Sequence, residues 1–283
     1  VPVTTHAIHY GTSIFEGIRA YWNSKNLYVF RLKDHVKRFR NSGKFYNITL
    51  NFSDRQIENA VIDLCKKNKI KKSCYIRPFY FVGQYGINFH VTQKAPTHTA
   101  IFAFPFGDLF NKSGITATIS KWRKFSDMST PTQAKMGGNY LNSILATQDA
   151  KQRGFDEAIL LDQSGNVSEA PGENIFLVKN NMLVTPSLSS SALDGITRRS
   201  IITLAKDMKL KIKTQKVSKK ELKMADEIFL SGTAAEITPV IKIDKKKIGE
   251  GKVGNITKLF MATYSDIVMN KSENYSHWLT AVY

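Results

Sequence analysis

Hydrophobic residues recur along the chain at two periods, one typical of short strands and one typical of amphipathic helices. Runs rich in β-branched and aromatic residues predict strands, because such side chains pack well on a half-buried pleated surface. These runs cover residues 27–31, 74–82, 99–104, 115–120, 158–162, 174–178, 182–185 and 227–231. The first ten residues are predicted to be extended, and because they lack a start methionine we expect further residues upstream.

Apolar residues spaced three and four positions apart predict helices. The predicted helices cover residues 35–39, 53–67, 139–153 and a segment that opens at Gly195. Asp34 and Ser53 are predicted N-caps, because their side-chain oxygens can accept hydrogen bonds from free N–H groups of the first turn. In the predicted helix over 139–153, Leu141, Ile144 and Leu145 share one face.

Strands and helices in this irregular order indicate a mixed α/β (α+β) fold and not a regular βαβ series. A length of 283 residues allows two domains. The turn-rich stretch 105–114 lies between two predicted strands and is the best linker in the chain. We therefore expect a small N-terminal domain over 1–106, whose first strands are expected upstream, an interdomain loop over 107–113, and a larger domain over 114–283.

The chain is strongly basic: it has 41 Lys+Arg and 23 Asp+Glu, a formal net charge of +18. Such a charge can bind nucleic acid or another polyanion, and this is the alternative function from a different class. Nucleic-acid-binding proteins favour Arg, however, and here 31 Lys stand against 10 Arg. No nucleic-acid-binding motif accompanies the lysines, so we expect a solvated lysine-rich surface and no nucleic-acid partner.

Hydrophobic residues make up 42% of the chain, which excludes a disordered or collagen-like protein. No apolar run approaches the roughly 18 residues of a membrane-spanning helix, and the first residues lack the pattern of a signal peptide. The two cysteines, Cys65 and Cys74, form no CxxC pair, which favours a reducing compartment. These observations predict a cytoplasmic protein without a membrane partner.

Lys135 precedes two glycines and a predicted helix start. Glycines let the backbone approach a ligand closely, and a lysine amine of lowered pKa can form a Schiff base. The alternative is that Lys135 is an ordinary surface lysine, and its spacing alone leaves both interpretations open.

Two other segments present free backbone N–H groups of the kind that bind phosphate: the helix start at Gly195 and the strand-to-turn segment 231–235. Glu169 and Glu173 lie among small residues, where a buried carboxylate needs a partner such as a pyridinium N–H; the alternative is that either is a turn residue. His6 and His9 fall in the segment predicted to be extended, and we expect no metal site.

Six segments with chemistry of this kind follow one another in a fixed order. They are Tyr-Gly-Thr-Ser-Ile-Phe-Glu-Gly-Ile-Arg at 10–19, Tyr-Ile-Arg-Pro at 75–78, Lys-Met-Gly-Gly-Asn-Tyr at 135–140, Ser-Glu-Ala-Pro-Gly-Glu-Asn at 168–174, Leu-Asp-Gly-Ile-Thr-Arg at 193–198, and Ser-Gly-Thr-Ala-Ala-Glu-Ile-Thr-Pro at 231–239. Together they resemble the class IV (fold-type IV) pyridoxal-phosphate aminotransferases, most of all the bacterial branched-chain type. The resemblance covers about residues 1–265 and implies a small N-terminal α/β domain and a larger C-terminal pseudo-barrel domain.

The resemblance implies that the cofactor is pyridoxal 5′-phosphate and that the catalytic residue is Lys135, which would hold the cofactor as an internal aldimine and carry the proton of the 1,3-shift. Glu169 would pair with the pyridine nitrogen. The other cofactor contacts implied are Arg38, Ile196, Thr197 and Thr233 at the phosphate, Tyr140 at the ring hydroxyl and Leu193 on the ring face.

The resemblance also implies ping-pong transamination of leucine, isoleucine and valine with 2-oxoglutarate, giving branched-chain 2-oxo acids and L-glutamate. Arg77 would bind the distal carboxylate of glutamate, and Tyr75 with the Thr233–Ala234 backbone would bind the α-carboxylate. The implied walls of the apolar pocket are Phe15, Phe106 and Tyr140, with Tyr10 and Phe89 from a second subunit. A homodimer or a larger homo-oligomer such as a hexamer is therefore expected.

Two activities of the same fold are the alternatives to branched-chain transamination: D-amino-acid aminotransferase and aminodeoxychorismate lyase. The segments at 75–78 and 231–235 favour the branched-chain enzyme over both.

Overall fold

The computed structural model describes residues 1–283, which divide into two compact units. The first unit comprises Val1–Gly107, Ala134–Gly138 and Ser265–Tyr283, and the second comprises Asp108–Gln133 and Asn139–Tyr264. The change of unit at Asp108 lies within the linker expected from the sequence. Two later segments nevertheless belong to the first unit, because main-chain hydrogen bonds attach them to its strands.

Fourteen strands and seven α-helices form the two units. The strands are β1 (Ser13–Phe15), β2 (Ile18–Trp22), β3 (Leu27–Phe30), β4 (Cys74–Val82), β5 (Thr97–Pro105), β6 (Ile115–Arg123), β7 (Glu157–Leu161), β8 (Asn174–Lys179), β9 (Met182–Pro186), β10 (Ile212–Gln215), β11 (Glu227–Gly232), β12 (Glu236–Ile243), β13 (Lys246–Lys247) and β14 (Leu279–Ala281). The helices are α1 (His6–Tyr10), α2 (Leu32–Lys44), α3 (Asp54–Lys67), α4 (Tyr140–Gln152), α5 (Ile196–Asp207), α6 (Lys219–Lys223) and α7 (Asn255–Val268).

The first unit contains an antiparallel sheet in the order β1-β4-β2-β3-β14, with β5 paired to β4 along its whole length. Side chains alternate across β4: Ile76 and Tyr80 are fully buried in the core, where the Tyr80 ring meets Phe39 of α2 edge-on at 4.7 Å. The odd-numbered residues of β4 point to the opposite face, because successive side chains of a strand alternate. Tyr75 and Arg77 therefore share that face.

The second unit contains a mixed sheet in the order β10-β9-β8-β11-β12-β6-β7, with β13 on β12. Its two end strands are connected by one segment. Val167 bridges Leu161 of β7 and donates its N–H to the oxygen of Val217, which follows β10, at 2.7 Å. The N–H of Leu160 is bonded in turn to the oxygen of Glu169 at 2.8 Å. This segment gives the unit its barrel-like closure and places Glu169 there.

Several predicted helix ends agree with the structure. Ser53 caps α3 through a capping box with Gln56, and Gly195 is the N-cap of α5. The prediction for Asp34 was wrong: α2 begins two residues earlier, at Leu32, and the Asp34 carboxylate accepts a hydrogen bond from Arg31 Nε at 2.8 Å. An aspartate paired inside the first turn cannot cap that turn.

The prediction that residues 1–10 are extended was also wrong, since residues 6–10 form α1. The His6 N–H donates to the oxygen of Gly83 at 2.8 Å, and Gly11 ends the helix at φ 64°. A hydrogen bond to a residue as distant in sequence as Gly83 cannot be predicted from the local pattern of hydrophobic and polar residues.

The apolar face shared by Leu141, Ile144 and Leu145 points away from the unit, and these residues are 64%, 52% and 40% exposed. The face of α4 that packs against β6 and β7 carries small and polar residues such as Ser143 and Ala146. None of the helices combines the length and the apolar character needed to cross a bilayer.

Candidate active site

Lys135 lies in a short extended segment whose backbone is hydrogen-bonded to the backbone of Phe15 and to the side chain of Ser42. Its oxygen accepts from the Phe15 N–H at 3.2 Å, and its N–H donates to Ser42 Oγ at 2.9 Å. Met136 bridges Ile14 of β1. The backbone that carries the lysine therefore behaves as an extra strand beside β1, and the side chain starts from a fixed position.

Gly11 and Gly137 are required where the backbone after Lys135 approaches the segment before β1. Gly138 donates its N–H to the oxygen of Gly11 at 3.1 Å. A Cβ atom on Gly11 would lie 2.9 Å from the Cα of Gly138, and one on Gly137 would lie 2.3 Å from Ser13 Oγ. Side chains at these positions would push the lysine segment away from β1.

The Lys135 side chain is half-buried in the first unit, with Nζ 4.9 Å from the centroid of the Phe15 ring. Burial lowers the pKa of Lys135 to about 8, and the Arg38 charge adds to the effect while Glu16 opposes it. Near neutral pH such a lysine has a larger unprotonated fraction than an ordinary lysine, and the unprotonated amine is the form that attacks a carbonyl carbon.

Arg38 is held by a fully buried carboxylate, Glu16. Arg38 Nε is 2.6 Å from Glu16 Oε1, and its Nη2 is 2.9 Å from Glu16 Oε2. His35 Nδ1 lies 2.7 Å from the same Oε2. Burial opposes ionisation, but the Arg38 guanidinium and His35 outweigh it and hold the pKa of Glu16 well below its usual range. Burial also lowers the pKa of His35, so a neutral His35 donates its Nδ1–H.

Arg77 lies among aromatic rings in the first unit. Its Nη2 donates to the Tyr75 hydroxyl at 2.8 Å, and its guanidinium carbon is 4.6 Å from the centroid of the Phe15 ring. The Phe106 ring lies 5.5 Å from that of Tyr75. The aromatic faces stabilise the Arg77 cation and also provide apolar surface around it. The space beside Arg77 can therefore accept either an apolar group or a carboxylate.

Tyr10 and Phe89 form a separate aromatic pair, with ring centroids 5.1 Å apart. The Tyr10 hydroxyl donates to the oxygen of Ile87 at 3.2 Å, and Phe89 is 82% exposed. His6 anchors the same loop through Nε2, 3.0 Å from the oxygen of Asn88. Neither residue of this pair shares a hydrogen bond or a ring contact with Arg77.

In the second unit, Glu169 is buried and its two oxygens have different partners. Oε2 accepts from Asn174 Nδ2 at 3.1 Å and from the Leu193 N–H at 2.9 Å. Oε1 lies 2.7 Å from Lys124 Nζ. Burial works against the charge of Lys124, but the Glu169 carboxylate outweighs it and raises the pKa of Lys124.

The start of α5 is tied to the same network. The amide of Asn174 also donates to the oxygen of Leu193 at 2.8 Å, and a Cβ on Gly195 would lie 1.9 Å from Asn174 Oδ1. Ile196 and Thr197 are buried in the first turn, where backbone N–H groups have no intrahelical partner. The helix start thus presents N–H donors at a fixed distance from Glu169.

Three other predicted residues lie on neighbouring elements of the second unit. Thr233 and Ala234 form the turn of the hairpin between β11 and β12, and Tyr140 opens α4. Ser231, at the end of β11, has a buried Oγ without a hydrogen-bond partner. Such a hydroxyl is an available donor or acceptor for a polar ligand.

Sequence reasoning missed Glu16, His35 and Lys124. The sequence carried a signal for Glu16, because it stands among apolar residues at 14–18. A carboxylate buried in such a segment almost always has a cationic partner, so a partner could have been expected. Lys124 carried no signal, because a lysine-rich chain offers many lysines and only the fold brings one of them to Glu169.

Comparisons with known proteins agree with the chemistry of these residues. The family model for class IV amino-transferases matches residues 13–243. A branched-chain-amino-acid aminotransferase of Salmonella typhimurium is 42% identical over 286 aligned positions, which cover 100% of this chain and 92% of the relative.

Two solved structures are similar over the whole chain. The branched-chain aminotransferase of the archaeon Thermoproteus uzoniensis with norvaline superposes with a TM-score of 0.97, at 41% identity and coverage of 100% and 94%. The branched-chain amino acid aminotransferase of Thermobaculum terrenum in its PLP-form gives a TM-score of 0.94 at 33% identity, with coverage of 100% and 93%.

The ion pair between Lys124 and Glu169 generates a prediction about stability. Lys124→Met leaves a buried carboxylate without its cation, and we expect the free energy of unfolding to fall by about 3 kcal/mol, measured by urea denaturation. Lys124→Arg restores a cation and should recover most of the loss. Lys121→Met removes an exposed lysine three residues earlier and is the matched control; equal losses for the two methionine variants would contradict the prediction.

Proposed function

The chain belongs to the class IV amino-transferase family, and from that premise we propose that Lys135, Glu169 and Arg77 carry its reaction. The protein is a pyridoxal-phosphate-dependent branched-chain-amino-acid aminotransferase: it moves the amino group of leucine, isoleucine or valine to 2-oxoglutarate. The observation that carries the residue assignment is the half-buried Lys135 amine beside the Phe15 ring, whose pKa is lowered to about 8 by burial and by Arg38.

The residues present fit the cofactor. The chain supplies a half-buried amine of lowered pKa at Lys135, a buried carboxylate held by three donors at Glu169, and a buried hydroxyl without a partner at Ser231. When bound, pyridoxal phosphate supplies an aldehyde that condenses with amines and a ring that takes up the electrons released at the α-carbon of the substrate. The proposed contacts are Arg38, Ile196, Thr197 and Thr233 at the phosphate, Tyr140 at the ring hydroxyl and Leu193 on the ring face.

Lys135 is the proposed proton carrier. Its amine accepts a proton at Nζ and returns it, which is efficient when the pKa lies near the working pH. Glu169 is the proposed partner of the pyridine N–H. Its orientation is fixed by Asn174 and the Leu193 N–H, so no side-chain freedom is lost when that partner binds.

Arg77 is the proposed residue for the second substrate. Aromatic neighbours let it share a pocket with a branched aliphatic side chain, while its charge binds the distal carboxylate of glutamate or 2-oxoglutarate. Tyr75 and the Thr233–Ala234 backbone are the proposed α-carboxylate contacts. Phe15, Phe106 and Tyr140 are the proposed apolar walls.

A homo-oligomer is proposed because the Arg77 face of the first unit carries exposed aromatic residues. Phe79 and Phe102 lie 6.0 Å apart, and Phe102 and Phe104 are 47% and 40% exposed. Exposed apolar patches of this kind are typical of protein interfaces. A second copy would cover them, and its Tyr10–Phe89 pair is the proposed addition to the substrate pocket.

A cytoplasmic location is proposed as well, supported by the two free, buried cysteines.

The first test is directed at Lys135. Lys135→Ala should abolish both the visible absorbance of the bound cofactor and transamination between L-leucine and 2-oxoglutarate, because no amine remains to hold the aldehyde. Lys121→Ala, which removes an exposed lysine, should retain both. Turnover of D-alanine without turnover of L-leucine by the unmodified protein would overturn the substrate assignment.

The second test separates the two substrates. Arg77→Met removes the cation but keeps an apolar side chain, so we expect KM for 2-oxoglutarate to rise about tenfold or more while the half-reaction with L-leucine changes little. Stopped-flow measurement of the two half-reactions provides the comparison. Arg55→Met, an exposed arginine of α3, is the control. An equal loss in both half-reactions would show that Arg77 does not distinguish the substrates.

The third test concerns assembly. The wild-type protein should sediment at a multiple of the 31.9 kDa chain mass, and Phe102→Ser should shift it toward the monomer because a polar residue then lies in the aromatic interface. Phe45→Ser replaces a phenylalanine that is 54% exposed at the end of α2 and should leave the assembly unchanged. Sedimentation of the wild type as a single chain contradicts the proposal.

A further inference from the structure

Glu16 has no role in the function proposed above, although it is the most completely enclosed carboxylate of the first unit. It is 0% exposed and lies between β1 and β2, where its N–H donates to the oxygen of Pro78 at 2.8 Å. The next residue must be glycine, because a Cβ on Gly17 would lie 2.0 Å from the Tyr75 hydroxyl oxygen. The carboxylate therefore stands on a backbone that cannot shift.

Both oxygens of Glu16 are engaged by α2. Arg38 approaches side-on, with Nε on Oε1 at 2.6 Å and Nη2 on Oε2 at 2.9 Å. This paired arrangement fixes the plane of the guanidinium as well as its position. A single contact would leave the group free to rotate.

His35 completes the arrangement from the preceding turn of α2. Residues three apart lie on one face of a helix, so His35 and Arg38 reach the same carboxylate. His35 Nδ1 is 2.7 Å from Oε2 of Glu16 and the ring is buried. The neutral ring fixes Glu16 without adding a charge next to the Lys135 amine.

We propose that Glu16 is a positioning residue for Arg38: by holding the guanidinium in one plane, it prepares Arg38 to bind a phosphate group, and it thereby sets the preference for a phosphorylated over an unphosphorylated cofactor. The proposal rests on the proposed function, in which Arg38 contacts the phosphate. A donor that is already oriented loses no conformational freedom when the anion arrives, and this is the source of the gain in affinity.

A purely structural ion pair would have a different signature. Breaking it would lower stability, but it would not change how the protein ranks two cofactors that differ only by a phosphate. Pyridoxal 5′-phosphate and pyridoxal present the same aldehyde and the same ring, so the ratio of their dissociation constants isolates the phosphate contact.

The test measures both dissociation constants on the full-length chain freed of cofactor, from the visible absorbance that develops on titration with each compound. In Glu16→Gln, which keeps the shape of the side chain and removes its charge, the dissociation constant for pyridoxal 5′-phosphate should rise about tenfold, as expected for one charge-assisted hydrogen bond, while that for pyridoxal changes less than about twofold. Glu157→Gln, a buried carboxylate of the second unit, is the matched control and should leave the ratio unchanged.

A double-mutant cycle keeps the test decisive if Glu16→Gln folds poorly. Glu16→Gln/Arg38→Met removes both charges together and so leaves no unpaired charge of this pair, and its ratio of dissociation constants is compared with that of Arg38→Met, in which His35 still contacts Glu16. Equal ratios in these two variants support the proposal, because Glu16 then acts only through Arg38. A further change in the double variant overturns it.

The outcomes also separate this proposal from the proposed function. If the wild-type protein develops no absorbance with pyridoxal 5′-phosphate, or Lys135→Ala retains it, the assignment of the cofactor site fails. If the wild type binds normally but Glu16→Gln weakens both compounds equally, changes neither or tightens pyridoxal 5′-phosphate, the positioning role of Glu16 is overturned and the cofactor site stands.

Discussion

The repulsion between the half-buried Lys135 amine and the Arg38 guanidinium is the interaction to which the arrangement of the first unit responds. Two cations in a medium of low dielectric constant repel each other more strongly than in water. Glu16 supplies the opposite charge and His35 remains neutral, so the cluster keeps one negative group among the positive ones. The Lys135 backbone accepts a hydrogen bond from the Phe15 N–H and donates one to Ser42 Oγ, and these two bonds hold the lysine in this field.

In the second unit, the charged group that has to be held in place is the Glu169 carboxylate. Glu169 belongs to the segment that connects the end strands of the sheet, and that segment bonds to Leu160 on one side and Val217 on the other. The closure of the sheet therefore also fixes the backbone of the carboxylate. Lys124, Asn174 and the Leu193 N–H then satisfy its two oxygens. In each unit, the functional group is rigid because its backbone is part of the sheet architecture.

Eight of the fourteen strands and three of the seven α-helix starts could be predicted from the sequence, because their causes are local. The capping box of Ser53 and the N-cap of Gly195 depend on a few adjacent residues, and so does the alternation of β4. The family resemblance supplied Lys135 and Glu169 as site residues, and their roles stay predictions. Lys124, the partner of Glu169, could not be found in this way, because the pair depends on a contact between residues distant in sequence.

The errors have the same origin. Residues 6–10 form a helix because Gly83 and Gly11 anchor and terminate it, and α4 turns its leucines outward because Ser143 and Ala146 fit closer to the strands.

The lowered pKa of Lys135 also makes the stability of the folded state depend on pH. An unfolded lysine keeps its proton up to about pH 10.5, whereas folded Lys135 releases it near pH 8. Between these values the unfolded chain binds more protons, so this group makes the folded state more stable as pH rises, by up to about 3 kcal/mol. Below pH 8 the full cost of burying the ammonium group remains, and any covalent bond that removes the charge from this nitrogen relieves it. Occupancy of the lysine and stability of the fold are in this way one linked equilibrium.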